Sequence, residues 1–317
     1  MLAHPRPIPV GRATSPGTLG RMPRRPHPGS LAGYPLHNAA DALALATPML
    51  DRRPTLVASD FDGTLSHLVM DPWGARILPL ARRSLRALAV APGVHVALIS
   101  GRTAADLAGR VRIGGASYLG NHGVERGHLP RGHRAERLAI EVAPLPPHFT
   151  DLAEALAANM ERAIPEPWMV VERKLPAVTF HYRGAPDIAA AAARVTAIVD
   201  ATDADHQMVR FPGRRALELR PPGAPAKGES MRALLDEHRP AVAIMLGDDR
   251  HDARAFEVLR AARAAGELDG LAIAVAAHPD AMPDVAPHAD LILAGPGETA
   301  AFLSGLARIL VARTTPD

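Results

Sequence analysis

Residues 55–64 read TLVAS followed by DFDGT, a short apolar run that ends in two carboxylates and a glycine. The apolar run predicts a buried strand, and Gly63 predicts a turn directly after it. Because residues i and i+2 of an extended segment point to the same side, Asp60 and Asp62 can face one cleft. Two aspartates with this spacing and no further motif are as typical of a solvated turn as of a functional site. The strand before it and the Gly-Thr after it favour phosphoryl transfer assisted by a metal ion.

From residue 55 onward, predicted strands and helices alternate along the chain. The predicted strands cover residues 55–59, 94–99, 117–120, 242–246, 271–275 and 291–293. The predicted helices cover residues 78–89, 103–111, 228–237, 252–264 and 298–311. Continuous apolar strands between helices predict an α/β fold with a doubly wound parallel sheet. Ligands bind beyond the carboxyl ends of such strands, which is where Asp60, Ser100 and Asp248 fall.

The pattern changes between residues 124 and 222. Residues 178–183 alternate strictly between apolar and polar side chains, and residues 208–211 and 215–220 predict a hairpin with its turn at Pro212-Gly213. We therefore predict an inserted α+β cap over the strand ends. The predicted division is a disordered tail over residues 1–36, a core over residues 37–123 and 223–312, and the cap over residues 124–222.

The basic charge is concentrated at the N-terminus. Residues 1–50 contain five arginines and one acid, Asp41, whereas the whole chain has 36 basic and 33 acidic residues. The remainder is nearly neutral, with 36 − 5 = 31 basic and 33 − 1 = 32 acidic residues. No basic stripe alternates with aromatic residues, so we expect no nucleic-acid partner. The tail as a contact for nucleic acid or an anionic surface stays an alternative that is compatible with an enzyme.

Lysine is almost absent from this chain. Of the 36 basic residues, only Lys174 and Lys227 are lysines. A compact ammonium is needed where a planar guanidinium does not fit, so both lysines are candidates for functional positions. The chain has no cysteine, which excludes disulfides and thiolate metal sites. No apolar run is long enough to predict a membrane span, and a cytoplasmic location is expected.

Four short motifs fall where predicted strands end or a helix begins. They are the pair Asp60 and Asp62, then Ser100, then Lys227, and finally the pair Asp248 and Asp249. Ser100 offers a hydroxyl, and Lys227 a cation at a helix start, to phosphate oxygens. In this order and spacing the motifs resemble those of the haloacid dehalogenase (HAD) superfamily. The resemblance covers about residues 55–310.

Longer segments narrow the resemblance to one family. They are YLGNHGVE at residues 118–125, VERK at 171–174, FHYR at 180–183, ELRP at 218–221 and GDD at 247–249 with Asp252. These segments look like those of the trehalose-6-phosphate phosphatases. The resemblance implies a HAD-like core with a type C2 cap, a requirement for Mg²⁺, and hydrolysis of trehalose 6-phosphate to trehalose and phosphate, the last step of trehalose biosynthesis. The chain departs from the family at His251 and Ala253, where Thr and Glu are usual.

The resemblance also implies a role for each matching residue. The catalytic residues would be the nucleophile Asp60, which forms an aspartyl phosphate, the acid and base Asp62, and the phosphate-stabilising Ser100 and Lys227. The metal ligands or their neighbours would be Asp60, Asp62 through its carbonyl, Asp248, Asp249 and Asp252. The candidates for binding the sugars are Asn121, His122, Glu125, Lys174, Arg183 and Glu218.

Two other functions stay open from the sequence. The first is a HAD phosphatase for another sugar phosphate, such as a sucrose or mannosyl compound, which the cap segments disfavour. The second is an inactive HAD domain that regulates or binds a trehalose-phosphate synthase. Such domains typically lose the nucleophile or the general acid, whereas Asp60 and Asp62 are both present here. An active enzyme would still be functionally linked to the synthase that makes its substrate.

Overall fold

The structure, a computed structural model, describes residues 30–31, 33–69, 71–213 and 215–312. Near the start of this part, the two-residue strands β1 (Ser30–Leu31) and β2 (Tyr34–Pro35) pair with each other. Leu31, Tyr34 and Leu36 pack against the hydrophobic core. The predicted disordered tail is therefore wrong for these last residues, because their apolar side chains find a surface to pack on. The rest of the tail lies outside the described residues.

Twelve further strands form two sheets in the described part of the chain. They are β3 (Thr55–Ser59), β4 (Val94–Ile99), β5 (Ala116–Gly120), β6 (Glu125–Leu129), β7 (Glu141–Val142), β8 (Val170–Lys174), β9 (Ala177–His181), β10 (Val209–Gly213), β11 (Ala216–Arg220), β12 (Val242–Gly247), β13 (Asp269–Val275) and β14 (Leu291–Leu293). The larger sheet has the order β14-β13-β12-β3-β4-β5-β6-β7. Its strands from β14 to β5 run parallel, and β6 and β7 extend it antiparallel.

Helices cover both faces of the larger sheet. The α-helices in the described residues are α1 (Ala39–Ala46), α2 (Pro79–Val90), α3 (Ala104–Val111), α4 (His148–Ala163), α5 (Ile188–Thr202), α6 (Lys227–His238), α7 (Arg250–Ala264), α8 (Met282–Val285) and α9 (Pro296–Ala312). On one face, Leu85 of α2 and Phe302 of α9 are buried in a common core. On the other face, Leu234 of α6 and Phe256 of α7 form a second core. The prediction of an α/β doubly wound parallel sheet is confirmed.

The smaller sheet is antiparallel, with the order β10-β11-β9-β8. Helices α4 and α5 cover one of its faces, where Met160, Phe180 and Val195 share a third core. The turn predicted at Pro212-Gly213 is wrong, because both residues lie in β10 and pair with β11. Strand β10 is at the edge of the sheet, where a proline without an N–H donor is tolerated.

The predicted cap over residues 124–222 contains parts of both sheets. Its first strands, β6 and β7, continue the larger sheet, and only β8 to β11 form the smaller one. The borders of the core and cap domains therefore stay a prediction. Within the residues that the structure describes, no helix is both long enough and apolar enough to cross a membrane.

Candidate active site

Three polar residues follow directly after three neighbouring parallel strands. Strand β3 lies between β12 and β4 at the centre of the larger sheet. Asp60 follows β3, Ser100 follows β4, and Asp248 follows β12, and all three side chains are buried. The sequence predicted that these residues meet at one edge of the sheet, and the parallel register brings them there.

A buried ammonium group joins the carboxylates at this edge. Lys227, the first residue of α6, donates hydrogen bonds from Nζ to Asp60 Oδ1 at 2.7 Å and to Asp252 Oδ1 at 2.8 Å. Oxygens of Asp60, Asp248 and Asp252 all lie within 4.8 Å of one another. We call these four residues the acidic cluster. Its three carboxylates face the single ammonium of Lys227.

The pKa values in the acidic cluster reflect this imbalance. Burial raises the pKa of Asp60 to about 6, the Lys227 ammonium opposes that rise, and the charges of Asp249 and Asp62 add to it. Burial and the neighbouring carboxylates, Asp60 foremost, raise the pKa of Asp248 well above its usual value. Burial would lower the pKa of Lys227, but the carboxylates around it hold that pKa well above the usual value. The cluster therefore carries more negative charge than it can balance internally.

The acidic cluster fits a hard divalent cation. Its donor atoms are carboxylate oxygens, which Mg²⁺ prefers, and they converge from three different elements on one buried point. Burial and the repulsion between neighbouring carboxylates together raise the pKa values of Asp60 and Asp248, and a cation would relieve both costs. Asp60 and Asp248 can serve as direct ligands, whereas both oxygens of Asp252 are already bound, Oδ1 by Lys227 and Oδ2 by the backbone N–H groups of Asp248 and Asp249.

Gly63 allows the turn after β3 to approach Asp248 closely. Its φ of +81° lies in the left-handed region, and a Cβ at this position would lie 2.1 Å from Asp248 Oδ2. Thr64, the next residue, donates a hydrogen bond from Oγ1 to Asp248 Oδ1 at 3.5 Å. Gly63 and Thr64, which made the sequence motif specific, therefore allow the turn to pack against the acidic cluster.

Asp249 acts locally as the N-cap of α7. Its Oδ1 accepts hydrogen bonds from the backbone N–H groups of His251 and Asp252, at 2.8 and 3.1 Å. Helix α7 consequently begins at Arg250, two residues before the predicted start at Asp252. Asp249 is not among the carboxylates that lie within 4.8 Å of one another. Its predicted part in metal binding would therefore be indirect.

Asp62 points to an arginine that the sequence interpretation left out. Arg102 donates from Nε to Asp62 Oδ2 at 2.7 Å and from Nη2 to Asp62 Oδ1 at 2.8 Å. Its Nη1 donates to Asp106 Oδ2 at 2.9 Å, and the arginine is buried. The bidentate contact fixes the plane of the Asp62 carboxylate. The sequence signal was the Ser100-Gly101-Arg102 segment, from which only Ser100 was selected.

A second buried charged cluster links the two sheets. Lys174 of β8 donates from Nζ to Glu218 Oε1 at 2.9 Å, and His122 Nε2 lies 3.2 Å from Glu218 Oε2. We call Lys174, Glu218 and His122 the cap cluster. Burial would raise the pKa of Glu218, but Lys174 and His122 hold it well below its usual value. Burial lowers the pKa of His122 despite the Glu218 carboxylate.

The other predicted sugar-binding residues lie around the cap cluster. Asn121 has a φ of +50° and donates from Nδ2 to the carbonyl of Lys174 at 2.6 Å. Glu125 accepts a hydrogen bond from the backbone N–H of Ala104, at the start of α3, at 2.6 Å. Arg183 lies farther along the cap and donates from Nη1 to the carbonyl of Val69 at 2.9 Å. The first two therefore adjoin the junction of the sheets, and Arg183 connects the cap to the loop after β3.

Two further residues of the cap form a close pair that the sequence did not single out. His181 Nε2 lies 2.8 Å from Glu172 Oε2, between β9 and β8. Burial would raise the pKa of Glu172, but His181 and Lys174 hold it below its usual value. Strand alternation places Glu172 on the same face as Lys174, which is the signal that could have identified it.

The residue that departs from the family pattern, His251, packs beside the cap cluster. Its ring centroid lies 4.9 Å from that of His122 and 6.0 Å from that of Phe211. Burial lowers the pKa of His251 to about 4. Ala253, the second departure, is buried in α7. Nothing in the structure explains why these two residues replace the usual ones.

Comparison with known proteins gives one consistent family. The family model described as trehalose-phosphatase matches residues 58–284. The trehalose-phosphate phosphatase of Mycobacterium tuberculosis (strain H37Rv) is 35% identical over 229 residues, which cover 71% of this chain and 56% of that protein. The trehalose-phosphate phosphatase of Mycobacterium avium is 32% identical over 280 residues, which cover 86% of this chain and 67% of that protein.

Solved structures agree with these relatives. Trehalose-6-phosphate phosphatase of Aspergillus fumigatus matches with a TM-score of 0.56 and 25% identity, over 87% of this chain and 99% of that one. This chain spans only 56% of the length of the mycobacterial relatives that match it at 35% identity. The family model nevertheless covers most of the chain. The chain belongs to the trehalose-phosphatase family.

Proposed function

We propose that this chain is a trehalose-phosphatase, a phosphoric monoester hydrolase that converts trehalose 6-phosphate to trehalose and phosphate. The observation that carries the proposal is the acidic cluster, in which Asp60 lies at the end of the central strand and binds Lys227 at 2.7 Å. Membership of the trehalose-phosphatase family and the names of the mycobacterial relatives support the substrate.

Asp60 is proposed as the nucleophile. A carboxylate oxygen forms a bond to phosphorus while the bond between phosphorus and the sugar oxygen breaks, which leaves an aspartyl phosphate. The Lys227 ammonium, which contacts Asp60, would offset the charge of the incoming phosphate. The raised pKa of Asp60, about 6, still leaves this carboxyl mainly ionised at neutral pH.

Asp62 is proposed to move the proton in both half-reactions. As a neutral acid it gives a proton to the departing sugar oxygen, and as a carboxylate it then takes a proton from the water that attacks the phosphorus. Arg102 holds both carboxylate oxygens of Asp62, so one of these hydrogen bonds must be released when Asp62 carries the proton. Ser100, buried at the neighbouring strand end, would donate to a phosphate oxygen.

Mg²⁺ is the proposed cofactor, held by the carboxylates of Asp60 and Asp248 and by the backbone carbonyl of Asp62. When bound, it would neutralise phosphate charge and orient the transferred group. Asp252 supports the site by accepting the second hydrogen bond of Lys227 and those of the backbone N–H groups of Asp248 and Asp249. Asp249 would support it by starting α7 in the correct place.

The cap cluster and its neighbours are proposed to bind the disaccharide. A sugar offers many hydroxyls and little apolar surface, so recognition requires charged partners in a space that excludes water. Lys174, Glu218 and His122 are buried, Lys174 and His122 both contact Glu218, and Asn121 and Glu125 adjoin them. Arg183 would bind at the outer end of the cap. The division into a core and a cap supports this arrangement, because the sugar would lie between them.

Two parts of the proposal concern the cell. We expect the protein in the cytoplasm, and we expect a functional link with the trehalose-phosphate synthase that supplies the substrate. Cell fractionation tests the first expectation. Loss of trehalose together with accumulation of trehalose 6-phosphate after deletion of the gene tests the second.

Phosphate release tests the proposed activity. The substrates are trehalose 6-phosphate, sucrose 6-phosphate and glucose 6-phosphate, each with and without Mg²⁺, and Asp60→Asn is the control variant. We expect Mg²⁺-dependent turnover of trehalose 6-phosphate that Asp60→Asn abolishes. Preference for another sugar phosphate would retain the core chemistry and overturn the assignment of the cap. No turnover by the folded protein would favour a regulatory domain instead.

A further inference from the structure

A cavity lies between the smaller sheet and two helices of the core, and its lining includes Gly228 and His251, the sequence neighbours of Lys227 and Asp252. Its volume is about 700 Å³, and it is lined by Phe211 of β10, by Arg220 of β11, and by residues of α6 from Gly228 to Arg232 and of α7 from Arg250 to Ala261. None of the proposed catalytic, metal-binding or sugar-binding residues lines it. The cavity therefore requires an explanation other than the proposed reaction.

Arg220 is the unusual residue of this cavity. It is only 3% exposed, and its guanidinium carbon lies 3.7 Å from the centroid of the Phe211 ring. Its Nε and Nη1 have no hydrogen-bond partner among the described residues. Burial lowers the pKa of Arg220 even though Glu218 and Glu229 oppose that change. A buried guanidinium with unsatisfied donors is costly, so an anionic partner is expected.

The remaining charges of the cavity favour an anion as well. Arg250 donates to the backbone carbonyl of Pro212, and it forms no ion pair among the described residues. The positive charge of Arg250 lowers the pKa of Arg220, so these guanidiniums of α7 and β11 repel each other. Arg254 also lines the cavity and is bound to Glu257 at 2.9 Å. An anion between α7 and β11 would relieve the repulsion.

The acids of the cavity are already engaged. Glu229 accepts a hydrogen bond from the backbone N–H of Ala226 at 3.1 Å, as part of the start of α6. Glu257 is shared between Arg254 and His288, at 2.9 and 3.2 Å. Neither carboxylate makes a hydrogen bond to Arg220 in the described part of the chain. Glu229 is the one carboxylate of the lining without a cationic partner in the described part of the chain, and Arg220 and Arg250 outnumber it, so the cavity carries net positive charge.

We propose that this cavity binds a small molecule that carries a phosphate group, as a second anion site distinct from the catalytic one. Two guanidiniums that approach from different elements match the tetrahedral oxygens of a phosphate, and residues at the starts of α6 and α7 line the same cavity. The volume leaves room for an organic part beside the ring of Phe211. The phosphate could be free or esterified, and the two sources share this chemistry.

Occupancy of the cavity would connect the cap to the core. Arg220 belongs to the smaller sheet, whereas Arg250 begins a helix of the larger one. Glu218 of the cap cluster lies two residues before Arg220 on the same strand. A bound phosphate would therefore hold β11 against α7. Because Glu218 lies on the same strand, we expect the bound phosphate to change the KM for trehalose 6-phosphate more than kcat.

Titration calorimetry on the full chain, depleted of divalent cations, tests the site without any turnover. In that state the acidic cluster has three carboxyl groups around a single ammonium and offers no free cation to an anion. The probes are inorganic phosphate and glucose 6-phosphate. We expect one binding event per chain, weakened about 10-fold or more by Arg220→Gln and by Arg250→Gln. The tighter of the two probes identifies whether the free or the esterified phosphate is preferred.

Arg210→Gln is the matched control, because Arg210 lies in the same hairpin but is paired with Asp200 at 2.5 Å. Binding by this control should equal that of the unaltered chain. Arg250 is exposed, so its substitution leaves the fold intact even if Arg220→Gln unfolds the cap. The proposal is overturned if neither probe binds, or if binding survives Arg250→Gln and is lost in Lys227→Met. The second result would assign the anion to the acidic cluster.

Discussion

The acidic cluster and the cap cluster are both buried, and each contains one of the two lysines of the chain, but their charges are balanced differently. In the acidic cluster three carboxylates face Lys227. In the cap cluster Lys174 and His122 share the single carboxylate of Glu218. The first cluster is therefore incomplete without a cation. In the second, both oxygens of the carboxylate are already bound, and a sugar must compete with these contacts.

The same substitution in both clusters should separate their functions. Lys227→Met removes the only ammonium of the described acidic cluster, and we expect kcat for trehalose 6-phosphate to fall about 10³-fold. Lys227→Arg should not restore it, because a planar guanidinium cannot replace a point charge between two carboxylates 2.7 and 2.8 Å away. Steady-state kinetics at saturating Mg²⁺ measures both variants. Full activity of either one would contradict the role given to Lys227.

Lys174→Met is the matched change in the cap cluster. Here we expect KM to rise about 10- to 100-fold with kcat nearly unchanged, because a charge-assisted contact to substrate is lost. Glu218 would also be left buried without its cation, at a cost of about 3–5 kcal/mol in the free energy of unfolding. Combining Glu218→Gln with Lys174→Met should recover most of that stability but should not restore the original KM. An unchanged KM in Lys174→Met would remove the cap cluster from substrate binding.

Arg102 tests how strongly the position of Asp62 matters. Arg102→Lys replaces the bidentate contact by a single one, and we expect kcat to fall about 10-fold while KM changes little. Arg110→Lys is the matched control, because Arg110 binds the same partner, Asp106 Oδ2, at 2.7 Å but does not contact Asp62. Equal kinetics in the two variants would show that Arg102 has only a structural part.

The sequence predicted one of these regions better than the other. Asp60, Ser100 and Asp248 could be found because each follows an apolar strand, and parallel strands bring their ends together. Arg102 could not, because its partner Asp62 is 40 residues away and only the fold aligns them. In the smaller sheet the turn was placed at Pro212-Gly213, since a local pattern does not reveal that this strand lies at an edge.

The cap shows the same limit for side chains. Lys174 and Glu218 were selected individually from the resemblance, but their contact depends on strands that are 44 residues apart. Glu172 and His181 were overlooked, although strand alternation alone places Glu172 beside Lys174. Arg220 was visible in the ELRP segment, yet its unsatisfied donors result from burial against Phe211. Tertiary packing, which the sequence pattern does not encode locally, decided the pairing of Lys174 with Glu218 and the unsatisfied donors of Arg220, whereas Glu172 was within reach of the local pattern.

The smallest expected effect is on the pH dependence of stability. It compares the charge balances of the two clusters most directly, because the two pH dependences differ. Without metal, Asp60→Asn should be more stable than the unaltered chain at pH 7. The raised pKa of Asp60, about 6, means that the folded chain binds this proton more tightly than the unfolded chain. The penalty is therefore full above pH 6 and is relieved as pH falls, so the difference in stability should shrink by about 1 kcal/mol between pH 7 and 5.

Glu218→Gln should behave differently over the same range. The pKa of Glu218 is held well below 4.5 in the folded chain, so its stabilising contribution is full above pH 4.5 and is lost only below it. Its difference from the unaltered chain should thus stay nearly constant between pH 7 and 5. Urea unfolding of the metal-depleted proteins measures both differences. A constant gap for Asp60→Asn would mean that burial and the neighbouring carboxylates do not raise the pKa of Asp60 in the folded chain.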